Sequence, residues 1–179
     1  MTVKEISQIA DLSAPALALA GEAPAPSAYL DSLEKQQLFQ DAIRFLAYKM
    51  AVDAGVKWAC ACIRELQSPE SKNEKNEALE AAEQWVKTPG DPTRWAAKEA
   101  AGKPKVRGAS KLVAMAVFFS GGSITPPQAP ETPPPPHLAQ KMIAGSVDAT
   151  VLGYEPAKAT ERYKRAVAMG RALDQPGKA

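Results

Sequence analysis

Acid–base or nucleophilic chemistry needs a base held against a nucleophile, and this chain has few residues to supply either: one histidine, His137, two cysteines, Cys60 and Cys62, and the serines Ser120 and Ser123 around Gly121 and Gly122. His137 follows Pro133, Pro134, Pro135 and Pro136 and precedes Leu138, a position expected at a helix N-terminus. There the positive end of the helix dipole favours the neutral imidazole that a general base requires. A small enzyme using His137 with Ser120 or Ser123 is therefore one reading. Against it, the chain has no H-E-x-x-H, no P-loop lysine motif and no G-x-S-x-G, and its Ser-Gly-Gly-Ser block lacks the Lys-Ser/Thr ending that reaches phosphates. Cys60 and Cys62 are two residues apart, which is neither a redox pair nor a zinc spacing, and a single histidine cannot complete a zinc site. Both thiols lie in the apolar run Trp58-Ala59-Cys60-Ala61-Cys62-Ile63, where free cysteine behaves as a small buried hydrophobe. The expectation is a protein that is not an enzyme, with no catalytic residues, no metal and no cofactor.

The same serines and histidine bound the most distinctive stretch of the chain. Gly121 and Gly122 suit a helix end, and Pro126 and Pro127 keep the helix from resuming, so a long loop is forced. Pro133 to Pro136 have fixed φ and no N–H to donate, so they form a polyproline II spacer reaching roughly 12 Å. Two readings are open. The loop is a docking surface, or, the reading the sequence favours, it is a stiff crossover that Ser120, Gly121, Gly122 and His137 fasten to helix ends whose free backbone groups need partners. The candidate binding set is Ser120, Gly121, Gly122, Ser123, Pro133, Pro134, Pro135, Pro136 and His137.

Charge narrows the partner class. Twenty-two Lys and Arg against 20 Asp and Glu give a net charge of only +2, too little for a global field that attracts nucleic acid. The distribution is uneven: residues 31–83 hold 7 basic and 10 acidic side chains, whereas residues 91–111 hold 6 and 2. A nucleic-acid reading would use Lys103, Lys105, Arg107 and Lys111, with Arg162, Lys164, Arg165 and Arg171, to neutralise phosphates, but it lacks the interleaved aromatics that stack bases. Another protein is the expected partner, with nucleic acid disfavoured. Leu112 to Phe119 is an apolar run of eight, far below the ~18 needed to span a bilayer, and the run from Leu17 to Ala20 has no basic start of a leader peptide. A cytoplasmic protein that does not enter membranes is expected.

Positioning these residues requires helices. With 179 residues and 45% hydrophobic content the chain suits one domain with a real core. No segment alternates with period two, so the fold class is all-α, a single compact irregular array of six to seven helices with a long Gly/Pro-rich crossover loop at 121–136. Residues 1–27 read as a flexible arm with a short helix at Val3 to Ala10, broken by Pro15, Pro24 and Pro26, residues 28–174 as the helical domain, and residues 175–179 as a loose tail. Phe39, Ile43, Leu46 and Met50 form the stripe of a first long helix over 28–50, capped by Ser27. Asp53-Ala54-Gly55 reads as the break before a second helix over 56–67. A third helix ends before Pro89, and Asp91 caps a short fourth helix that begins at Pro92. A fifth, apolar almost all round, reaches Phe119 and is expected to be the central core helix. The sixth spans 137–153 and the seventh ends near Asp174. The tryptophans fall at unequal intervals, which argues against a regular solenoid.

Ala28-Tyr29-Leu30 with Asp41-Ala42-Ile43-Arg44-Phe45-Leu46, then Trp58-Ala59-Cys60, Ala81-Ala82-Glu83-Gln84-Trp85-Val86, Phe119-Ser120-Gly121-Gly122-Ser123-Ile124-Thr125-Pro126-Pro127, and Pro133-Pro134-Pro135-Pro136-His137-Leu138 with Ala144-Gly145 resemble an uncharacterised family of small bacterial helical proteins over residues 29–154. Members of that family look like companions of type VI secretion clusters. The resemblance implies an accessory role beside such clusters and carries over no catalytic residue; the non-catalytic adaptor reading itself rests on the helical array, its long rigid loop and the lack of a catalytic set.

Overall fold

The computed structural model describes residues 1–21, 25–73, 76–104, 106 and 108–174, with the side chains of residues 72 and 73 left aside. These residues form ten α-helices and two short 3-10 turns, with no strand among them, rather than six to seven helices. The tail at 175–179 lies outside the described residues.

Two of the helices beyond the expected count lie in the segment expected to be an arm, and the first of them falls on the short helix read at Val3 to Ala10. α1 (Val3–Ile9) opens with a capping box, in which the Thr2 N–H donates to Glu5 Oε2 at 2.6 Å and the Glu5 N–H to Thr2 Oγ1 at 3.2 Å. α2 (Ala14–Ala20) places Pro15 in its first turn, where the missing N–H costs nothing. Val3, Ile6, Leu12 and Ala16 are buried in the common core. Ser13 donates to both oxygens of Asp41 at 2.8 Å, from its N–H and its hydroxyl, and the Tyr29 hydroxyl donates to the Ala16 carbonyl at 2.8 Å. Residues 1–21 are thus part of the packed domain; Pro15 opens α2 and Pro26 opens the next helix, while Pro24 lies outside the described residues.

The third addition splits the first long helix into α3 (Pro26–Lys35), which starts at Pro26 with Ala25 rather than Ser27 at its N-cap, and α4 (Phe39–Lys49). Between them Gln37 is left-handed at φ 57°, its N–H donates to Glu34 O at 3.0 Å, and the Leu38 N–H donates to Leu33 O at 2.8 Å. This pair of bonds is a Schellman cap with glutamine where glycine is usual. An exposed side chain in that conformation costs about 1 kcal/mol. Gln37→Gly is therefore expected to stabilise the protein by about 1 kcal/mol in urea denaturation. No gain would contradict the cap.

α5 (Val52–Leu66) begins before Asp53 and runs through Gly55, because the break falls at Met50 and Ala51. A Cβ on Gly55 would lie 2.9 Å from Ile143 Cδ1, so this glycine serves packing rather than termination. α6 (Glu77–Lys87) is capped by the Asn76 side chain, which accepts from the Leu79 N–H at 3.2 Å. α7 (Asp91–Ala101) has Gly90, not Asp91, at its N-cap. α8 (Gly108–Phe118), α9 (Leu138–Leu152) and α10 (Ala159–Leu173) complete the array.

Two helices share the centre that was expected of the fifth sequence helix alone. α8 packs against α5, α6, α7 and α9, and α9 packs against α4, α5, α8 and α10. Small residues bring the pair together: the Ser146 hydroxyl donates to the Ala109 carbonyl at 2.9 Å, and a Cβ on Gly145 would meet Leu112 Cδ1 at 3.5 Å. The α8 N-terminus thus lies beside the C-terminal half of α9. The connection at 119–137 closes the other end.

Candidate functional site

Both central helices end on carbonyls that no further turn can satisfy, and each end is met by an arginine from elsewhere in the chain. At the end of α8, Arg94 is 3% exposed. Its Nη1 donates to Phe118 O at 2.9 Å, its Nη2 to Ser123 O at 2.8 Å, and its Nε to Asp91 Oδ1 at 2.9 Å. Its guanidinium carbon stands 5.3 Å from the Phe118 ring centroid and 5.6 Å from that of Trp95. Asp91, read from the sequence as a helix cap, instead orients this arginine. At the end of α9, Arg162 donates to Val151 O at 2.9 Å, to Glu155 O at 3.1 Å and to Tyr154 O, with its guanidinium over the Tyr154 ring.

The Arg94 contact fixes the entry to the loop between α8 and α9. Gly122 has φ 65°, and a Cβ there would stand 2.9 Å from Arg94 Nη2 and 3.1 Å from Asp91 Oδ1, so glycine is required on two grounds. Ser123 is the hub of the loop. Its Oγ accepts from the N–H groups of Thr125 at 3.2 Å and Thr132 at 3.1 Å. Both lone pairs are then used, and its own proton points to Thr125 Oγ1 at 2.7 Å, whose proton goes on to Pro130 O at 2.7 Å. The Ile124 N–H donates to Thr132 O at 2.8 Å and closes the loop on itself.

The candidate residues therefore divide. Gly122 and Ser123 build the latch. Ser120 and Gly121 are half-buried and do not carry the fastening expected of them; the Ser120 N–H donates to Val117 O at 3.1 Å, and nothing lies within 4 Å of a Cβ on Gly121. Pro133, Pro135 and Pro136 are exposed and Pro134 half-exposed. His137 occupies the N-cap of α9 in a left-handed conformation at φ 59°, makes no side-chain cap, and sets its ring 5.8 Å from that of Tyr48. Among the described residues, no hydrogen bond joins His137 to Ser120 or Ser123.

The basic residues are largely engaged within the chain. Lys103 pairs with Glu77, Lys164 with Glu161 at 3.0 Å, Arg165 with Glu65, and Arg171 with Asp31 at 2.8 Å and Glu34 at 2.7 Å, while Arg162 is the buried cap. Lys111 is exposed, and Lys105 and Arg107 lie outside the described residues. Cys60 and Cys62 are buried free thiols, each pushed up to about 12 by burial, so neither is a nucleophile near neutral pH. The described residues contain no cluster of three His, Cys, Asp or Glu side chains able to hold a metal, and no helix long and apolar enough to cross a membrane.

A polar cluster that sequence reasoning missed lies beside His137. A cavity of about 170 Å³ is lined by Asp11, Arg44, Tyr48, Lys141 and Asp148, among others. Burial pushes the Asp148 carboxyl up to about 6, against the hydrogen bond from the Tyr163 hydroxyl at 3.1 Å and the charge of Arg44. Arg44 and Tyr48 are four apart on α4, and Lys141 and Asp148 seven apart on α9. That common helical spacing was the available signal.

A family described as one of unknown function (DUF6931) matches residues 29–174. The chain belongs to this family. DUF6931 thus covers α10 and most of α3, and everything between them, including both buried arginines and the whole latched loop. No match was found among curated proteins or among solved structures.

Proposed function

We propose that this DUF6931 protein is a non-catalytic, cytoplasmic adaptor that binds another protein through the loop at 119–137. The observation that carries the reading is the division of the loop into a pinned inner edge, held by Arg94 and Ser123, and an exposed outer edge of Pro126, Pro127, Pro130, Pro133, Pro135 and Pro136. A segment ordered in advance gives up little conformational entropy on binding. The exposed proline rings offer stiff apolar faces, which suit a partner groove lined with aromatic side chains. The resemblance carried by the Ser-Gly-Gly and polyproline-histidine blocks favours components of a type VI secretion apparatus as the partners to look for first.

The test replaces Pro133→Ser, Pro134→Gly, Pro135→Ser and Pro136→Gly together in the full chain. Losing each proline costs about 0.4–1 kcal/mol of stability through the unfolded state, so capture is compared at a temperature where both proteins are folded. Quantitative pull-down from the source cell, read by mass spectrometry, is expected to lose the protein that the unmodified chain enriches. Equal enrichment by both would refute the docking role.

A further inference from the structure

The cavity beside His137 is built by residues outside the loop: Asp11 from the turn between α1 and α2, Arg44 and Tyr48 from α4, and Lys141 and Asp148 from α9. At about 170 Å³ it is smaller than the roughly 300–1,000 Å³ of sites for drug-sized molecules, so its occupant has only a few heavy atoms. Its inner charges are one of each sign. Arg44 is half-buried and spends one N–H on the Asp11 carbonyl at 2.9 Å. Asp148 is half-buried and accepts from the Tyr163 hydroxyl at 3.1 Å. Among the described residues neither forms an ion pair, with the other or with a third group. Lys141 and Asp11 are exposed and repeat the two signs where solvent screens them.

We propose that this cavity binds a small zwitterion of the amino-acid type, its carboxylate on Arg44 and its ammonium on Asp148. A simple anion is repelled by Asp148 and a simple cation by Arg44, at short range in a partly desolvated site. A molecule that carries both charges gives each group the counter-charge it lacks. The guanidinium is a planar fork that a carboxylate matches, and hydrogen bonds between ionised groups are about twice as strong as neutral ones. Burial pushes the Asp148 carboxyl up to about 6, a cost to its ionised form that a ligand ammonium offsets. The site goes beyond the docking role, since none of its lining residues belongs to the loop at 119–137.

The test is isothermal titration calorimetry on the full chain at pH 7.5, where Asp148 is mostly ionised. Glycine, β-alanine and γ-aminobutyrate carry the two charges at increasing separation, whereas acetate and methylammonium carry one each. At least one of the zwitterions is expected to bind saturably at one site, and more tightly than either single-charge probe by about tenfold or more. Asp148→Asn keeps an acceptor for Tyr163 but not the charge, and Arg44→Met keeps the stem but not the guanidinium. Each is expected to weaken that zwitterion by about tenfold or more while circular dichroism stays helical. If Arg44→Met does not fold, Asp148→Asn decides the matter. No saturable zwitterion binding up to about 10 mM, equal affinity for acetate or methylammonium, or unchanged binding in a folded variant overturns the proposal.

Discussion

Arg94→Ala is expected to cost about 3 kcal/mol, a drop of about 6–12 °C in melting temperature for a chain of this size. The figure is built from the groups it leaves behind. The carbonyls of Phe118 and Ser123 lose their donors, and an unsatisfied buried acceptor costs about 1–3 kcal/mol, reduced where loosening admits water. Loss of the guanidinium from the Phe118 and Trp95 rings adds about 1 kcal/mol. Asp91, the third partner, is 72% exposed and contributes little once it is solvated. Arg94→Lys is expected to recover only a minor part, because one ammonium cannot repeat a planar fork that serves three acceptors. Arg94→Met, which keeps the stem but no donor, should resemble alanine in the loop and exceed it in core packing. Thermal and urea unfolding of the three variants check the ranking, and a lysine variant as stable as wild type would show that the fork geometry is not needed.

Asp148→Asn is expected to stabilise the protein by about 2 kcal/mol at pH 7.5 and to leave it nearly unchanged at pH 4. The Asp148 carboxyl titrates at about 6 in the folded chain against an ordinary value of 3.8, raised by burial. Between those values the native state holds a proton that the unfolded state has released. Stability therefore falls as pH rises, with the favourable contribution complete below about 4 and lost by the time pH has passed 6. Two pK steps correspond to about 3 kcal/mol at most, and partial solvation lowers the figure. Asparagine cannot ionise, yet its side-chain oxygen still accepts from the Tyr163 hydroxyl. The charges of Arg44, which favours the carboxylate, and Asp41, which opposes it, act on the ionised Asp148 alone and are already contained in its raised value. Urea denaturation of both proteins at pH 4 and 7.5 is the check; an equal difference at the two pH values would contradict the assignment.

The parts of this fold that were legible in the sequence are those that local pattern encodes. The stripe of Phe39, Ile43, Leu46 and Met50, the apolar run ending at Phe118, and the glycines and prolines that stop it all act through periodicity or backbone freedom within a few residues. The cap at Gln37 was hidden because the apolar pattern continues across it from Leu30 and Leu33 to Phe39, and no glycine or proline marks the turn. The burial of the N-terminal helices depends on Asp41 and Tyr29, 28 and 13 residues away from Ser13 and Ala16, a separation that no local window samples. The capping roles of Arg94 and Arg162 were hidden for the same reason. In a charge pattern each reads as a solvated cation, and only the tertiary position of the carbonyls of Phe118 and Val151 makes each a buried cap. His137 drew attention as the lone histidine, whereas the structure uses it as a left-handed residue at the start of α9.

The central claim, that the loop is ordered before any partner arrives, is tested most directly by amide hydrogen exchange across residues 119–137 of the isolated full chain. The N–H groups of Ile124, Thr125, Ala129 and Thr132 each donate within the loop. They are expected to exchange far more slowly than in an unstructured peptide, and Ser123→Ala is expected to remove the protection of Thr125 and Thr132 while α8 and α9 keep theirs. Exchange of those four amides at the unstructured rate in the unmodified chain would contradict the account.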